Sequence, residues 1–230
     1  MIFRLALIVT FLFSEESQNF KIDFFGLPAA TVNLHIIDTL YSQESNKLIY
    51  FQTESISIIK YIFNVNNQYE TIISQDAKSI LSFSKNTSQP NLTNQLKTSR
   101  VDSKTFYNNS SRIIPDNHFN IFSLLYFLSN NKIIDIQNIN IEREGLIYNG
   151  VITPIKVFNN NRILYNLELI KKDYIDNEYV IKNTDIFTWA LFKESARREI
   201  LVDYNDNNII ECIFKHGKIK MSAKNIKYFE

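Results

Sequence analysis

The chain is poor in the residues that build the commonest catalytic and phosphate-binding motifs. Its 230 residues include four glycines, four prolines, three histidines and one cysteine. So few glycines argue against nucleotide-binding loops, and neither Gly-x-Gly-x-x-Gly nor Gly-x-Ser-x-Gly occurs. The single cysteine, Cys212, excludes a disulfide within the chain. The scarcity of proline argues against proline-rich linkers between domains.

An excess of charge of either sign is also lacking. The 25 Lys and Arg residues face 24 Asp and Glu residues, which gives a formal net charge of +1. Nucleic-acid-binding proteins usually carry a strong basic surplus, so composition predicts no nucleic-acid partner. Hydrophobic residues make up 45% of the chain and charged residues 21%. These proportions are enough for a folded core and argue against disorder.

The first fourteen residues have the order of a secretory signal peptide. Arg4 gives a positive start, residues 5–13 form an apolar run, and Ser14-Glu15-Glu16 is polar. Nine helical residues extend only about 13 Å, against a hydrocarbon core of roughly 30 Å, so this run is too short for a permanent anchor. We predict that residues 1–14 are removed on export and that the mature chain lies in the periplasm or outer cell envelope, with no membrane span. A retained N-terminal anchor and a buried first strand are the alternatives.

Residues 15–230 alternate between apolar and polar side chains, the pattern of half-buried antiparallel strands. The clearest rows are Phe20/Ile22/Phe24, Val32/Leu34/Ile36, Ile163/Tyr165/Leu167/Leu169, Ile200/Val202/Tyr204 and Ile219/Met221/Ala223. Asn- and Gly-rich turns separate these rows at short intervals. The pattern predicts one mainly β domain over 15–230, an antiparallel meander that forms a curved sheet or partly open barrel.

Three segments depart from this alternation. Residues 118–129 are too densely apolar for a half-exposed strand, and they predict one buried helix, capped by Asp116 or Asn117 and ended by 129–131. Residues 55–63 suit either a helix or a strand. Residues 84–111 are the most polar and least periodic, and we expect ragged edge strands with long loops there.

The residues with catalytic or metal-binding potential are scattered. His35, His118 and His216 lie far apart, and a zinc site would need three or four converging ligands. Cys212 shares strand parity with two large apolar residues, which is typical of a core thiol.

The remaining charged groups suit solvated surfaces. Glu142 and Glu144 suit the charged rim of a hairpin, and the run 193–198 suits a solvated turn. The sequence therefore predicts no catalytic residues, no metal site and no cofactor.

Several segments, taken in order, resemble the DUF3108 family of exported bacterial proteins of unassigned function. The resemblance lies in Phe24-Phe-Gly-Leu-Pro-Ala-Ala30, in Phe63-x-Val-x-Asn-x-Tyr-Glu-Thr71, in residues 120–128, in Trp189 with Arg198-x-Ile-x-Val202, and in Lys215-His-Gly-Lys-Ile219. It covers nearly all of residues 18–225. It implies an exported curved β-sheet or barrel and supplies no reaction.

Together these observations predict a non-catalytic envelope protein, a binding or carrier module for an apolar, lipid-like ligand. Such a ligand would lie on the concave apolar face of the curved sheet. The alternative is an envelope assembly or structural protein that acts through protein–protein contacts. The ligand-binding residues are not identified by the sequence.

Overall fold

A computed structural model of the chain describes residues 15–108, 110–158, 160–172 and 180–229. The predicted leader, residues 1–14, lies outside these ranges. The strands are β1 (Glu15–Phe24), β2 (Leu27–Tyr41), β3 (Glu44–Ser55), β4 (Asn66–Ile73), β5 (Ile80–Gln89), β6 (Leu92–Val101), β7 (Lys104–Tyr107), β8 (Ile113–Ile114), β9 (His118–Phe119), β10 (Gln137–Arg143), β11 (Leu146–Phe158), β12 (Arg162–Lys171), β13 (Arg197–Asp203), β14 (Asn208–His216) and β15 (Ile219–Asn225). The helices are α1 (Ser57–Lys60), α2 (Ile121–Asn130), α3 (Ile186–Leu191) and α4 (Ile226–Phe229).

All of these strands belong to one sheet, which curls into a nearly closed barrel. Its order is β8-β7-β6-β5-β4-β3-β2-β1-β15-β14-β13-β12-β11-β10-β9. Each strand pairs antiparallel with its neighbours, except that β9 and β10 are parallel. The two edge strands, β8 and β9, are separated by only residues 115–117 of the chain. The predicted mainly β meander and partly open barrel are therefore confirmed.

The alternating side chains explain how the sheet acquires an inside and an outside. On β2, Ala30, Val32, Leu34 and Ile36 are buried, and the residues between them are partly exposed. On β12, Ile163, Tyr165 and Leu167 are buried in the same way. Because successive side chains of a strand point to opposite faces, these rows form the core inside the curved sheet.

Helix α2 is the buried helix that the sequence predicts, with a different start. Residues 118–119 form β9, and Asn120 caps the helix instead of Asp116 or Asn117. The Asn120 side chain accepts from the Ser123 amide, and the Ser123 hydroxyl accepts from the Asn120 amide, which makes a capping box. Leu124 and Leu128 are fully buried against the sheet.

The polar stretch 84–111 differs from its prediction. It forms the regular strands β5, β6 and β7 near one edge of the sheet, joined by two-residue turns at 90–91 and 102–103. The prediction of an edge position is right, and that of long loops is wrong. Several residues on the inner face here, Lys85, Thr87 and Thr105, are polar, so alternation of hydrophobicity is weak even though alternation of burial persists.

Segment 55–63, left ambiguous by the sequence, contains both elements: β3 runs to Ser55 and α1 follows. None of the described helices is both long and apolar enough to span a bilayer.

Candidate functional site

The interior of the barrel contains an apolar cavity of about 140 Å³ between the sheet and two helices. Ile121, Phe122 and Leu125 of α2 line one side, and Phe187 and Leu191 of α3 line another. Strands β1, β2 and β13–β15 supply much of the remaining wall. An apolar cavity of about 150 Å³ is large enough to bind benzene. The cavity therefore accommodates one aromatic ring or a short alkyl segment.

Helix α3 is held against this cavity at both ends. At its start, the Asp185 carboxylate accepts from the amides of Phe187 at 3.0 Å and Thr188 at 2.9 Å. At its end, the buried Arg198 guanidinium donates to three backbone carbonyls, those of Leu191, Lys193 and Ala196. These bonds satisfy backbone groups that a helix end would otherwise leave unpaired. The short helix thereby has a fixed position as a wall of the cavity.

A row of three buried polar side chains crosses the inner face beside the cavity. Thr53 on β3 is paired in register with Asn67 on β4, which is paired with Thr87 on β5. All three are at most 1% exposed. Within the described residues, the hydroxyls of both threonines and both polar atoms of the Asn67 amide have no hydrogen-bond partner. Buried polar atoms are nearly always paired in folded proteins, so this row is a set of open hydrogen-bonding positions.

Only one member of this polar row reaches the cavity wall. Thr53 lines the apolar cavity. Thr188 and Ser222 also place hydroxyls along this wall, and among the threonine and serine hydroxyls there, that of Thr53 is the buried one left unpaired within the described residues.

A cluster of buried charges lies between β5, the β10–β11 turn and α3. The Lys85 ammonium contacts Glu144, lies 2.6 Å from Asp185 and donates to the Thr184 hydroxyl at 2.9 Å. The Lys85 side chain is 0% exposed. Burial alone would raise the pKa of Asp185, but the charge of Lys85 and hydrogen bonds from Lys85 and Thr188 outweigh it and lower that pKa.

A second buried carboxyl, Glu142, sits beside this cluster. It accepts from the Tyr107 hydroxyl at 2.7 Å and from the Gly145 amide at 2.6 Å. Burial raises the pKa of Glu142 to about 7, against the lowering effect of these two hydrogen bonds. Burial, together with the negative charge of Glu142, raises the pKa of Tyr107 well above its ordinary value.

The two groups of polar contacts close the gap in the barrel. Tyr107 and Lys85 belong to the strands near edge β8, while Glu142 and Glu144 belong to β10 and its turn, near edge β9. The hydrogen bonds from Tyr107 to Glu142 and from Lys85 to Glu144 therefore span the seam between the two edges. We call these four residues, with Thr184 and Asp185, the seam cluster.

The space within the seam cluster is small. A cavity of about 20 Å³ adjoins Tyr69, Asn120, Glu142, Glu144 and Thr188. A cavity of that volume holds one water molecule and is too small for an organic substrate. The seam cluster is thus placed to join the edges of the sheet.

Several sequence interpretations are changed by these positions. Glu142 and Glu144, interpreted as a solvated hairpin rim, are 2% and 6% exposed, so that interpretation is wrong. The run 193–198 does form a turn, but its Arg198 is buried and supports α3. Glu142 lies near the end of β10 and Glu144 in the turn that follows, and no local pattern indicates that two distant strands cover them.

The other singled-out residues lie apart from one another. His35 is partly exposed and lies 2.9 Å from a Glu15 carboxylate oxygen. Cys212 lines the apolar cavity, and burial raises the pKa of its thiol to about 12, so it is not a thiolate at neutral pH. Among the described residues, no three or more His, Cys, Asp and Glu side chains are grouped to hold a metal ion.

Sequence reasoning missed Thr53, Asn67, Thr87 and Lys85. Asn67 is of a residue type common in turns, but it lies in β4, which begins at Asn66. Thr87 and Lys85 fall in the polar stretch, where the inner and outer faces look alike in sequence. Strand parity relative to buried Phe83 is the signal that places both on the inner face.

Comparison with known proteins supports the fold and leaves the family open. No protein-family model matches the chain, and no curated protein matches it. Among solved structures, it is similar to a β-barrel-like protein of the domain of unknown function DUF1849 from Brucella abortus. The TM-score is 0.51 at 10% sequence identity, over 91% of this chain and 95% of that one. The likeness shows a shared barrel-like fold, and the resemblance to DUF3108 stays a prediction.

Proposed function

We propose that the protein is an exported, non-catalytic binding module of the cell envelope that holds an apolar ligand inside its barrel. The observation that carries the proposal is the cavity of about 140 Å³, whose wall is almost wholly apolar. Ligand sites of this kind combine an apolar lining with a few placed polar groups. The signal-like order of residues 1–14 supports export.

The size of the cavity specifies the ligand more closely. It is smaller than the roughly 300–1,000 Å³ of most small-molecule pockets. The part of the ligand inside the barrel is therefore one ring or the end of an alkyl chain, and a longer lipid would leave most of its length outside. Thr53 adds a preference for a hydroxyl, ester or amide next to that apolar part.

The positions of the ionisable groups support a non-catalytic role. The seam cluster contains three buried carboxylates and a buried lysine, but its 20 Å³ cavity admits only water. The apolar cavity of about 140 Å³, in contrast, is lined by Cys212 with a raised pKa and by mostly apolar side chains. The ionisable groups of the seam cluster thus lie outside the wall of the ligand space. The two charged residues that do line that space are already engaged, Glu199 by Arg197 and Arg198 by backbone carbonyls.

Filling the cavity should abolish binding. In Ala223→Leu, three added carbons enter the cavity from β15. Ethylbenzene at ten times its Kd should raise the Tm of the unaltered protein by about 3–5 °C and leave that of A223L unchanged. The matched control is Ala29→Leu on the outer face of β2, which should respond like the unaltered protein. A cavity that binds no member of a series from benzene to butylbenzene would contradict the proposal, as would equal responses from both variants.

Removing the Thr53 hydroxyl should weaken the binding of polar ligands and leave that of apolar ligands unchanged. Thr53→Val keeps the side-chain shape and removes the unpaired hydroxyl. We expect benzyl alcohol to bind roughly fivefold more weakly to the variant, because a hydrogen bond contributes about 1 kcal/mol. Ethylbenzene, of similar size, should bind both proteins alike. Calorimetric titration measures both affinities, and parallel losses for the two ligands would show that Thr53 contributes only shape.

A further inference from the structure

We propose that one rim of the barrel is a docking surface for an anionic phospholipid bilayer. This rim is made by four connections of neighbouring strands: the α3–β13 loop, the β14–β15 turn, the β1–β2 turn and the α1 segment between β3 and β4. We call it the α1 rim. This docking surface lies on the outside of the protein, and it is independent of the ligand site proposed inside the barrel.

The α1 rim exposes large apolar side chains. Tyr61 is 93% exposed, Ile62 80%, Ile58 75%, Leu27 70% and Phe25 55%. They come from two adjacent connections, since β2 and β3 are paired up to Ala30 and Ser55 and the Ile56 amide donates to the Ala29 carbonyl. Exposed apolar clusters on soluble domains mark sites of protein or membrane interaction.

Phe25 carries an additional conformational cost. It has φ 53° and Gly26 has φ 81°, so both central residues of the β1–β2 turn have positive φ. Such turns favour Asn, Asp or Gly, and a bulky residue there is an outlier. Among the described residues, Phe25 is the only apolar side chain larger than alanine with positive φ. Its ring is more exposed than buried, so core packing does not explain a phenylalanine at this position.

The charges of the α1 rim identify the partner. Arg197 on β13, Lys215 on β14 and Lys220 on β15 lie directly opposite one another in register, and like charges so placed repel. Lys218 is exposed in the adjoining turn. Arg197 contacts Glu199, whereas in the described part of the chain no carboxylate lies within 4 Å of the other three ammonium groups. A surface of negative charge would relieve this repulsion.

The combination of lysine with exposed aromatic and aliphatic side chains favours a bilayer over a protein. Protein–protein interfaces are depleted in lysine. Membrane-surface sites instead place lysines against anionic headgroups and Phe, Tyr or Leu at the boundary with the acyl chains. The α1 rim has this composition. Met221, which lines the apolar cavity, is paired in register with Phe24 at this rim, so a docked bilayer would lie close to the ligand site.

Vesicle sedimentation tests the proposal. The protein should bind vesicles of phosphatidylglycerol and phosphatidylethanolamine, and binding should weaken with salt and on vesicles of phosphatidylcholine alone. Each lysine replaced should weaken binding roughly fivefold, so Lys218→Glu with Lys220→Glu should lower affinity at least 25-fold by that estimate. The charge control is Lys78→Glu with Lys104→Glu. Both lysines are exposed at the opposite end of the barrel, Lys78 in the β4–β5 connection and Lys104 at the start of β7.

The apolar part is tested by Phe25→Asn. Asparagine suits positive φ, so the Tm should be retained or raised while vesicle affinity falls roughly tenfold. Leu40→Asn, 60% exposed at the opposite end, is its control. The apolar run 5–13 is common to all variants, so any affinity of its own cancels in the comparison.

Three results would overturn the proposal. The first is absence of binding to anionic vesicles, and the second is an equal loss of vesicle affinity in rim and control variants. The third is self-association, measured by light scattering, that F25N abolishes. That result would show that the rim binds a second copy of the chain. Ethylbenzene thermal shifts without vesicles report on the cavity alone. Failure of docking and failure of ligand binding are therefore distinguishable.

Discussion

Lys85→Met should be the most damaging single substitution in the described part of the chain, with a loss of about 3–5 kcal/mol in the free energy of unfolding. The lysine side chain is 0% exposed and contacts Glu144 and Asp185. Methionine fills similar space but removes the ammonium shared by the two carboxylates, which leaves Glu144 with the Arg143 guanidinium at 3.6 Å as its one cationic partner within the described residues. A buried ion pair adds little net stability, but removing one partner is strongly destabilising because the other charge stays buried and unpaired. Urea unfolding measures the loss.

Two further variants separate charge from packing. Adding Glu144→Gln and Asp185→Asn to K85M removes the unpaired charges, so the triple variant should be more stable than K85M. Lys227→Met, which removes an exposed contact with Asp206, should leave the urea midpoint almost unchanged. If the triple variant is no more stable than K85M, the loss comes from packing and the electrostatic explanation fails.

Stability should fall as pH rises from about 4.5 to 7 through the titration of Glu142. Burial raises the pKa of this carboxyl to about 7 in the folded protein, from an ordinary value of 4.5. Between these values the folded chain holds a proton that the unfolded chain has lost, so rising pH favours unfolding. The shift corresponds to about 3 kcal/mol, since one pKa unit is about 1.4 kcal/mol. Above pH 7 this contribution is constant.

Glu142→Gln isolates that titration from all the others. The glutamine carbonyl still accepts from the Tyr107 hydroxyl and the Gly145 amide but does not ionise. The stability of the unaltered protein minus that of E142Q should therefore decline by about 3 kcal/mol between pH 4.5 and 7.5. Glu168→Gln, at an exposed position of β12, is the matched control substitution. Parallel pH profiles for the unaltered protein and E142Q would rule out the buried, protonated carboxyl.

The sheet and α2 were predictable because their signals are local. The alternation of apolar and polar residues over Val32–Ile36 or Ile163–Leu167 indicates which face of the strand is buried. The tight turns between strands need residues that accept positive φ. Residues 121–130 are too apolar to alternate and end in asparagines, so a buried helix follows. Only the cap moved, because pairing of 118–119 with β10 takes two residues from the helix.

The seam cluster and the polar row were not predictable because they depend on distant partners. Glu144 looks solvated until Lys85, 59 residues away, covers it. Closure of the sheet, which brings β5 beside the β10–β11 turn, is a property of accumulated strand curvature. The cavity volume likewise depends on how α2 and α3 pack against the sheet, and it cannot be predicted from composition.

The pairing of β1 with β15 in the middle of the sheet bears on the order of assembly. Phe20 lies opposite Asn225, so this contact joins residues about 200 positions apart, while almost every other ladder is a local hairpin. Two half-sheets, β1–β8 and β9–β15, can each grow from their own hairpins. They join only after residues 219–225 have left the ribosome. Long-range pairing is slow, so β1 keeps an open edge until β15 has been synthesised and has paired with it.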